Sequence, residues 1–290
     1  MNSIALFIMG KKGLDCLKAI QSISCDIIKE VIYATDNSVE EDYSNEIVTF
    51  CETHQLKYIH RNFFDETNLD KVDYFFAISW RWIINYDNNK LIVFHDSLLP
   101  KYRGFNPLVS ALINGDEEIG VTAIFANKEF DRGNIIGFES VSITYPIKVE
   151  LAIEKISICY QKLVLNVINK SKLSSKKQNE KDAIYSLWRD QEDYFIDWNL
   201  DAKKIERIIN ATGFPYGGAR TNMENQVIVI EDAKAIEDIE IINRTSGKFI
   251  FIESNCPVIV CGSGLLKIEK AYYLENKENV VFKKFRTRLK

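Results

Sequence analysis

Residues 91–108 read LIVFHDSLLPKYRGFNPL. His95 ends an apolar run there, and Ser97, Pro100, Tyr102, Arg103 and Gly104 follow closely. Imidazole exchanges protons near neutral pH, so a histidine where a strand runs out is placed for acid–base work. Such a ring usually needs a carboxylate to orient it. Asp96 is adjacent in sequence, but on an extended backbone it points to the opposite face. Asp131, in the loop EFDRGN, is the better candidate partner. Tyr102 and Arg103 can meet an anionic or planar substrate group, and Gly104 lets the backbone approach a ligand closely. The other two of the chain's three histidines read as structural: His54 on a surface helix, His60 at the end of a short strand. A nucleophilic Ser97 would need a GxSxG turn, and HDSLL is not one. The glycine turn MGKKG after the first apolar run matches neither GxGxxG nor GxxxxGK[ST].

The elements that position these residues follow from hydrophobic period. SIALFIMG, IKEVIYATD, KYIHR, VDYFFAIS and KLIVFH read as strands, and LDCLKAIQSI and YSNEIVTFCETHQL as helices between them. This alternation predicts an α/β fold, a mainly parallel sheet with helices on both faces. Ligands collect beyond the carboxyl ends of such strands, where His95 falls. EIGVTAIF and IIGFESVSI add strands, and Val149, Ile153, Ile156, Leu163 and Val167 form one stripe of a helix ending near Ile168. Residues 171–190 are polar and lysine-rich, an expected linker between an α/β domain over 1–170 and a smaller domain over 191–290. In the latter, DAKKIERIINATGFP reads as a short helix, and QVIVIED, GKFIFIE, PVIVCG and LLKIEKAYY as strands of a small antiparallel barrel or sandwich.

Composition narrows the function. Of 290 residues, 46% are hydrophobic and 27% charged, as in globular proteins, and no apolar run approaches a membrane span. A cytoplasmic protein without a signal peptide is the expectation. The net charge of −4 argues against nucleic acid as a partner; the basic tail KKFRTRLK is expected to be a solvated terminus. Six scattered cysteines (16, 25, 51, 159, 256 and 261) without a CxxC pair are expected to be reduced thiols, and no metal site is expected.

The run HDSLLPKYRGFNPLVSALINGDEEIGVTAIFANKEFDRGNII resembles the signature of 10-formyltetrahydrofolate-dependent formyltransferases. That signature runs Asn-x-His-x-Ser-Leu-Leu-Pro, Tyr-Arg-Gly, Pro, Ile-x-x-Gly, Gly-Val-Thr, Asp-x-Gly-x-Ile. IDWNLDAKKIERIINATGFPYGGART similarly resembles the entry to the second domain of methionyl-tRNA and sugar N-formyltransferases. The resemblance implies 10-formyltetrahydrofolate as formyl donor, His95 and Asp131 as the catalytic pair, and residues 1–170 as the catalytic domain. It implies that ISWRWII, with Ser79, Trp80, Arg81, Trp82 and Ile83, walls the pterin pocket, together with Asn127 and Gly133 of the ANKEFDRGN loop. The acceptor amine's scaffold is expected along LPKYRG. Tyr102, Arg103, Gly104 and Asn106 would bind it, with Lys11 or Lys12 able to meet a diphosphate. Trp80 and Trp82, two apart on an extended chain, share a face and so line the pocket or the core together.

One residue departs from the pattern. The family has asparagine two positions before the histidine, and here that residue is Val93. Formyl transfer to an amine builds negative charge on the carbonyl oxygen; an amide can donate a hydrogen bond to it and valine cannot. Losing one such donor costs about 2.7–4 kcal/mol. A protonated His95, a donor such as Asn106 or Asn127, or loss of transferase activity are the three alternatives. The charge and the chain length favour a small acceptor, a nucleotide-linked amino sugar for surface polysaccharide, over tRNA. A methionyl-tRNA formyltransferase, a non-catalytic folate or nucleotide binder, and a hydrolase are the rival readings. A homodimer is compatible with all of them.

Overall fold

The computed structural model describes residues 2–24, 26–65, 72–84, 89–282 and 284–290. Cys25 and Lys283, included in the expectations above, lie outside them. The chain divides into two compact units, one of Met1–Leu108, Glu117–Ile143 and Leu151–Trp188, the other of Val109–Asp116, Thr144–Glu150 and Arg189–Lys290.

In the first unit, β1 (Ile4–Ile8), β4 (Tyr74–Ile78) and β5 (Leu91–His95) are continuous or nearly continuous apolar runs, while β2 (Ile28–Tyr33) carries Lys29 and Glu30 and β3 (Tyr58–His60) is short and half-buried. They pair in parallel, as strands buried on both faces do. After β6 (Arg103–Gly104), β7 (Glu118–Phe125) and β8 (Ile135–Ser142) add antiparallel, giving the order β3-β2-β1-β4-β5-β7-β8. The order reverses between β1 and β4, so a crevice opens beyond the carboxyl ends of those two strands. Helix α1 (Gly10–Ile23) starts at that edge and buries Leu14, Leu17 and Ile20; Gly13 packs so closely on Ile8 that a side chain there would collide. α2 (Ser44–Thr53) buries Ile47 and Cys51. The expected stripe of α4 (Val149–Ile168) is buried throughout, from Val149 to Val167.

The stretch expected to be a linker has structure in its second half. Lys176 bridges Ile135 at the β8 edge, β9 (Tyr185–Ser186) pairs with β6, and Gln178 is buried. Among the elements not read from the sequence is α3 (Pro107–Asn114).

In the second unit, α5 (Ala202–Thr212) buries Ile205 and Ile209 against β10 (Ala219–Met223), β11 (Gln226–Ile236), β12 (Phe249–Glu253), β13 (Cys256–Val260) and β14 (Leu265–Tyr273). The Asp201 carboxylate caps α5 by accepting from the Lys203 and Lys204 amides, a contact worth about 1 kcal/mol. The antiparallel order is β10-β11-β14-β13-β12, and the final residues join its two edges: Leu289 bridges Met223, and Arg288 bridges Lys248. The expected solvated tail is therefore corrected. Thr287 and Leu289 are buried, with Leu289 in the core, while Arg286, Arg288 and Lys290 face outward, as alternation along an extended chain requires.

Candidate active site

β5 delivers His95 to the carboxyl edge of the sheet as a buried side chain. Its Nε2 lies 2.8 Å from the Tyr102 carbonyl. A carbonyl only accepts, so Nε2 carries a proton in this arrangement. Nδ1 faces Asp131 Oδ1 at 3.4 Å, an ion-pair distance when the ring carries both protons. The other Asp131 oxygen accepts from the Gly104 N–H at 2.8 Å. The expected pairing of His95 with Asp131, across loops on either side of β7, is thus present in the geometry.

Asp96 points to the opposite face, as an extended backbone demands. There it takes the Lys12 ammonium and the Tyr160 hydroxyl, and Tyr160 also donates to the Phe94 carbonyl at 3.1 Å. Burial pushes the Asp96 carboxyl up, but the Lys12 charge and the hydrogen bonds from Lys12 and Tyr160 outweigh it, leaving it below the ordinary range. Burial and then Asp96 drive the Tyr160 hydroxyl far upward.

A second layer holds the loops. Arg103 is 1% exposed; its guanidinium donates to Gln178 Oε1 at 2.8 and 3.1 Å and, through both terminal nitrogens, to the Glu180 carboxylate at 2.8 and 2.9 Å. Gln178 Nε2 then donates to the carbonyls of Asp131 and Gly133 at 2.7 and 2.8 Å. Arg103 was expected to meet substrate, and this is corrected: a buried guanidinium whose donors go to Gln178 and Glu180 positions the Asp131 loop. Gly104 needs its φ of +104° and its missing side chain because a Cβ would lie 2.5 Å from the Ser186 carbonyl, so the close approach is to β9. A Cβ on Gly133 would lie 1.6 Å from the Phe125 carbonyl, which makes that glycine a requirement of the loop's own backbone. Gln178, Glu180 and Ser186 were not picked out from the sequence, because a polar stretch carries no periodic signal for burial by hydrogen bonding.

The remaining candidates divide between two places. Just beyond β4, Trp80 and Trp82 meet edge to face at 5.1 Å. Together with Ile83, Ile84, Phe7, Phe64, Arg61 and Asn62 they line a cavity of about 290 Å³. The two indoles do belong together, though through a ring contact after the strand has ended. Arg61 stacks on Trp82 at 4.0 Å, and Arg81 pairs with Asp36. Ser79 Oγ and Trp80 Nε1 are buried with no hydrogen-bond partner among the described residues. Val93 packs with Trp80 against the cluster containing Phe7 and Ala77. On the histidine side, Tyr102 is buried and Asn106 half-buried. Asn127 is exposed and turns its Oδ1 to the Lys128 N–H, and Lys11 pairs with Asp15 within α1, as Lys12 does with Asp96. Ser79, Tyr102, Asn106 and Asp131 all have φ between +49° and +57°, a region side chains enter reluctantly and that clusters at functional sites.

Comparison with known proteins bears on the family and the fold. The formyl transferase family model matches residues 72–168, and the formyl transferase C-terminal domain model matches residues 189–287. A methionyl-tRNA formyltransferase of Buchnera aphidicola subsp. Acyrthosiphon pisum (strain Tuc7) is 32% identical over 214 residues, covering 70% of this chain and 66% of that protein. The chain thus spans about two thirds of that relative's length. A sugar 3N-formyl transferase solved in the presence of dTDP and 5-N-formyl-THF superposes with a TM-score of 0.67 at 20% identity, covering 95% of this chain and 99% of that one. The N-formyltransferase of Helicobacter canadensis, in complex with folinic acid and dTDP-3-aminofucose, gives a TM-score of 0.67 at 18% identity over 93% of this chain and 99% of that one. With both domain models matched in order, and with this fold, the chain belongs to the formyl transferase family.

Proposed function

We propose that this chain transfers the formyl group of 10-formyltetrahydrofolate to the amine of a nucleotide-linked amino sugar in the cytoplasm. The observation that carries the reading is the His95–Asp131 pair at the carboxyl edge of the sheet that also ends in the Ser79–Trp82 wall. A folate fits the residues present. The cavity is aromatic, and Ser79 Oγ and Trp80 Nε1 are donors in want of an acceptor such as a heterocycle or carbonyl offers. Ser79, Trp80, Arg81, Trp82 and Ile83 would hold the folate, with Asn127 and Gly133 from the facing loop. Bound there, it supplies a formyl carbon open to attack by an amine.

The protein's part is proton handling and orientation. With Asp131 holding a proton on Nδ1, an unprotonated Nε2 is the base that takes a proton from the acceptor amine and returns it to the folate nitrogen as the bond from that nitrogen to the formyl carbon breaks. The Tyr102 carbonyl faces Nε2, and Tyr102, Gly104 and Asn106 of the same loop are the proposed acceptor side, with Lys11 to meet a diphosphate; Arg103 acts only through the loop it anchors. The structural relatives carrying dTDP or a dTDP-linked amino sugar support the sugar acceptor, as does the net charge of −4. The 32% identical methionyl-tRNA formyltransferase favours a second reading, transfer to charged tRNA.

Turnover of 10-formyltetrahydrofolate against dTDP- and UDP-linked amino sugars and against methionyl-tRNA, with products read by mass spectrometry, separates the readings. A formylated sugar is expected. Formylated tRNA alone would transfer the assignment to the second reading, and no product with any acceptor would leave a folate-binding homologue.

A further inference from the structure

The oxygen of the transferred formyl group gains negative charge as the acceptor nitrogen adds to its carbon. It loses that charge when the folate nitrogen departs with a proton. A hydrogen-bond donor facing that oxygen is where such catalysis gains most, and Val93 has none to offer. His95 has no spare donor in this arrangement: Nε2 faces the Tyr102 carbonyl and Nδ1 faces Asp131. Asn127 keeps its Nδ2 donors but is exposed on its loop, and Asn106, half-buried, stands on the Tyr102 side with a φ of +49°. We propose that the Ser79 hydroxyl supplies the missing donor. This rests on the formyl-transfer reading above and deepens it.

Position follows from register. β4 and β5 are parallel, with Ala77 beside Val93 and Ile78 beside Phe94, so the next step places residue 79 beside His95. Adjacent strands lie about 4.8 Å apart. An asparagine at 93 would reach toward the carboxyl edge from one strand inward. A serine at 79 starts at that edge, two residues further along, and the shorter side chain has less distance to cover. Residue 79 also sits where the strand order reverses, at the mouth of the crevice between β1 and β4.

Two further observations single out this hydroxyl. Ser79 Oγ is buried without a partner among the described residues, an arrangement that costs stability unless a bound group completes it. Its backbone is left-handed, φ +54°, a conformation that side chains enter reluctantly and that is concentrated at functional sites. Val93 meanwhile has joined the apolar wall with Trp80 and Phe7. The donor thus lies on β4 rather than β5, and position 93 is part of the apolar cluster that contains Phe7.

The test is a cycle of Ser79→Ala and Val93→Asn. Ser79→Gly serves as a second variant, since it removes the hydroxyl while accepting the positive φ without strain. In the wild-type background, either change at 79 should lower kcat by about 10²–10³-fold, well beyond any rise in the folate KM. In the Val93→Asn background the same change should cost less than about threefold, because the amide restores the donor. A readout independent of turnover is the infrared carbonyl stretch of a bound, non-transferring 10-formyl folate analogue. It should fall to lower wavenumber in wild type and return toward the free value in Ser79→Gly. Equal losses in both backgrounds, losses confined to KM, or an unshifted carbonyl stretch would overturn the proposal while leaving formyl transfer standing. A wild-type protein that transfers formyl to no acceptor in the same assay would overturn both.

Discussion

At the scale of single residues, the site turns on one imidazole between a carbonyl and a carboxylate. His95 was legible because few residue types exchange protons near neutrality; strand alternation turned Asp96 away, and it was the family resemblance that picked out Asp131. Arg103 was misread for a physical reason. A guanidinium beside a glycine turn looks like an anion site, and nothing in the sequence reveals that Gln178 and Glu180, some seventy-five residues on, reach it first. Asp131→Asn tests the pair without deleting the loop's contact, since the amide oxygen can still accept from the Gly104 N–H. With no carboxylate to hold a proton on Nδ1, kcat should fall by about 10²–10⁴-fold while folate affinity stays within about twofold. Comparing steady-state rates with folate titrations checks this; a loss confined to folate binding would remove Asp131 from the chemistry.

At the scale of elements, β5 serves two faces at once. His95 turns to the loops, and Asp96 locks the start of α1 to the middle of α4 through Lys12 and Tyr160. The Asp96 carboxyl is held below its unfolded value. Its stabilising contribution is therefore complete above the ordinary carboxylate range and is lost as pH falls through the lowered folded value. Asp96→Asn leaves the Lys12 ammonium without its counter-charge and should cost about 3 kcal/mol near neutrality, the lower end for breaking a buried pair. Urea unfolding at neutral and strongly acid pH should show that deficit shrinking in acid; a deficit that ignores pH would mean packing, not charge, is lost. The central parallel strands β1, β4 and β5 were readable because they are almost wholly apolar runs. α3 was not, since PLVSALIN is apolar on nearly every side and shows no face, and β10 was not, since ARTNM is short and partly polar.

At the scale of the whole molecule, each unit has its own logic. The first unit has a switch point in a mostly parallel sheet; the second is an antiparallel sheet whose edges are joined by the chain's last residues. Fold class was legible from alternation and strand spacing, whereas the closing role of the basic tail was masked by its charge. The acceptor is a property of surfaces more than of motifs, which is why a net charge of −4 bears on it more than any single residue does. The chemistry proposed for the His95–Asp131 site moves a formyl group from folate to an amine rather than to water. Its most direct test counts tetrahydrofolate released against formylated sugar formed, with and without acceptor, by the wild-type protein. One tetrahydrofolate per formylated product is expected, and no release when the acceptor is withheld. Release that proceeds equally without acceptor would contradict it and make the site a hydrolase.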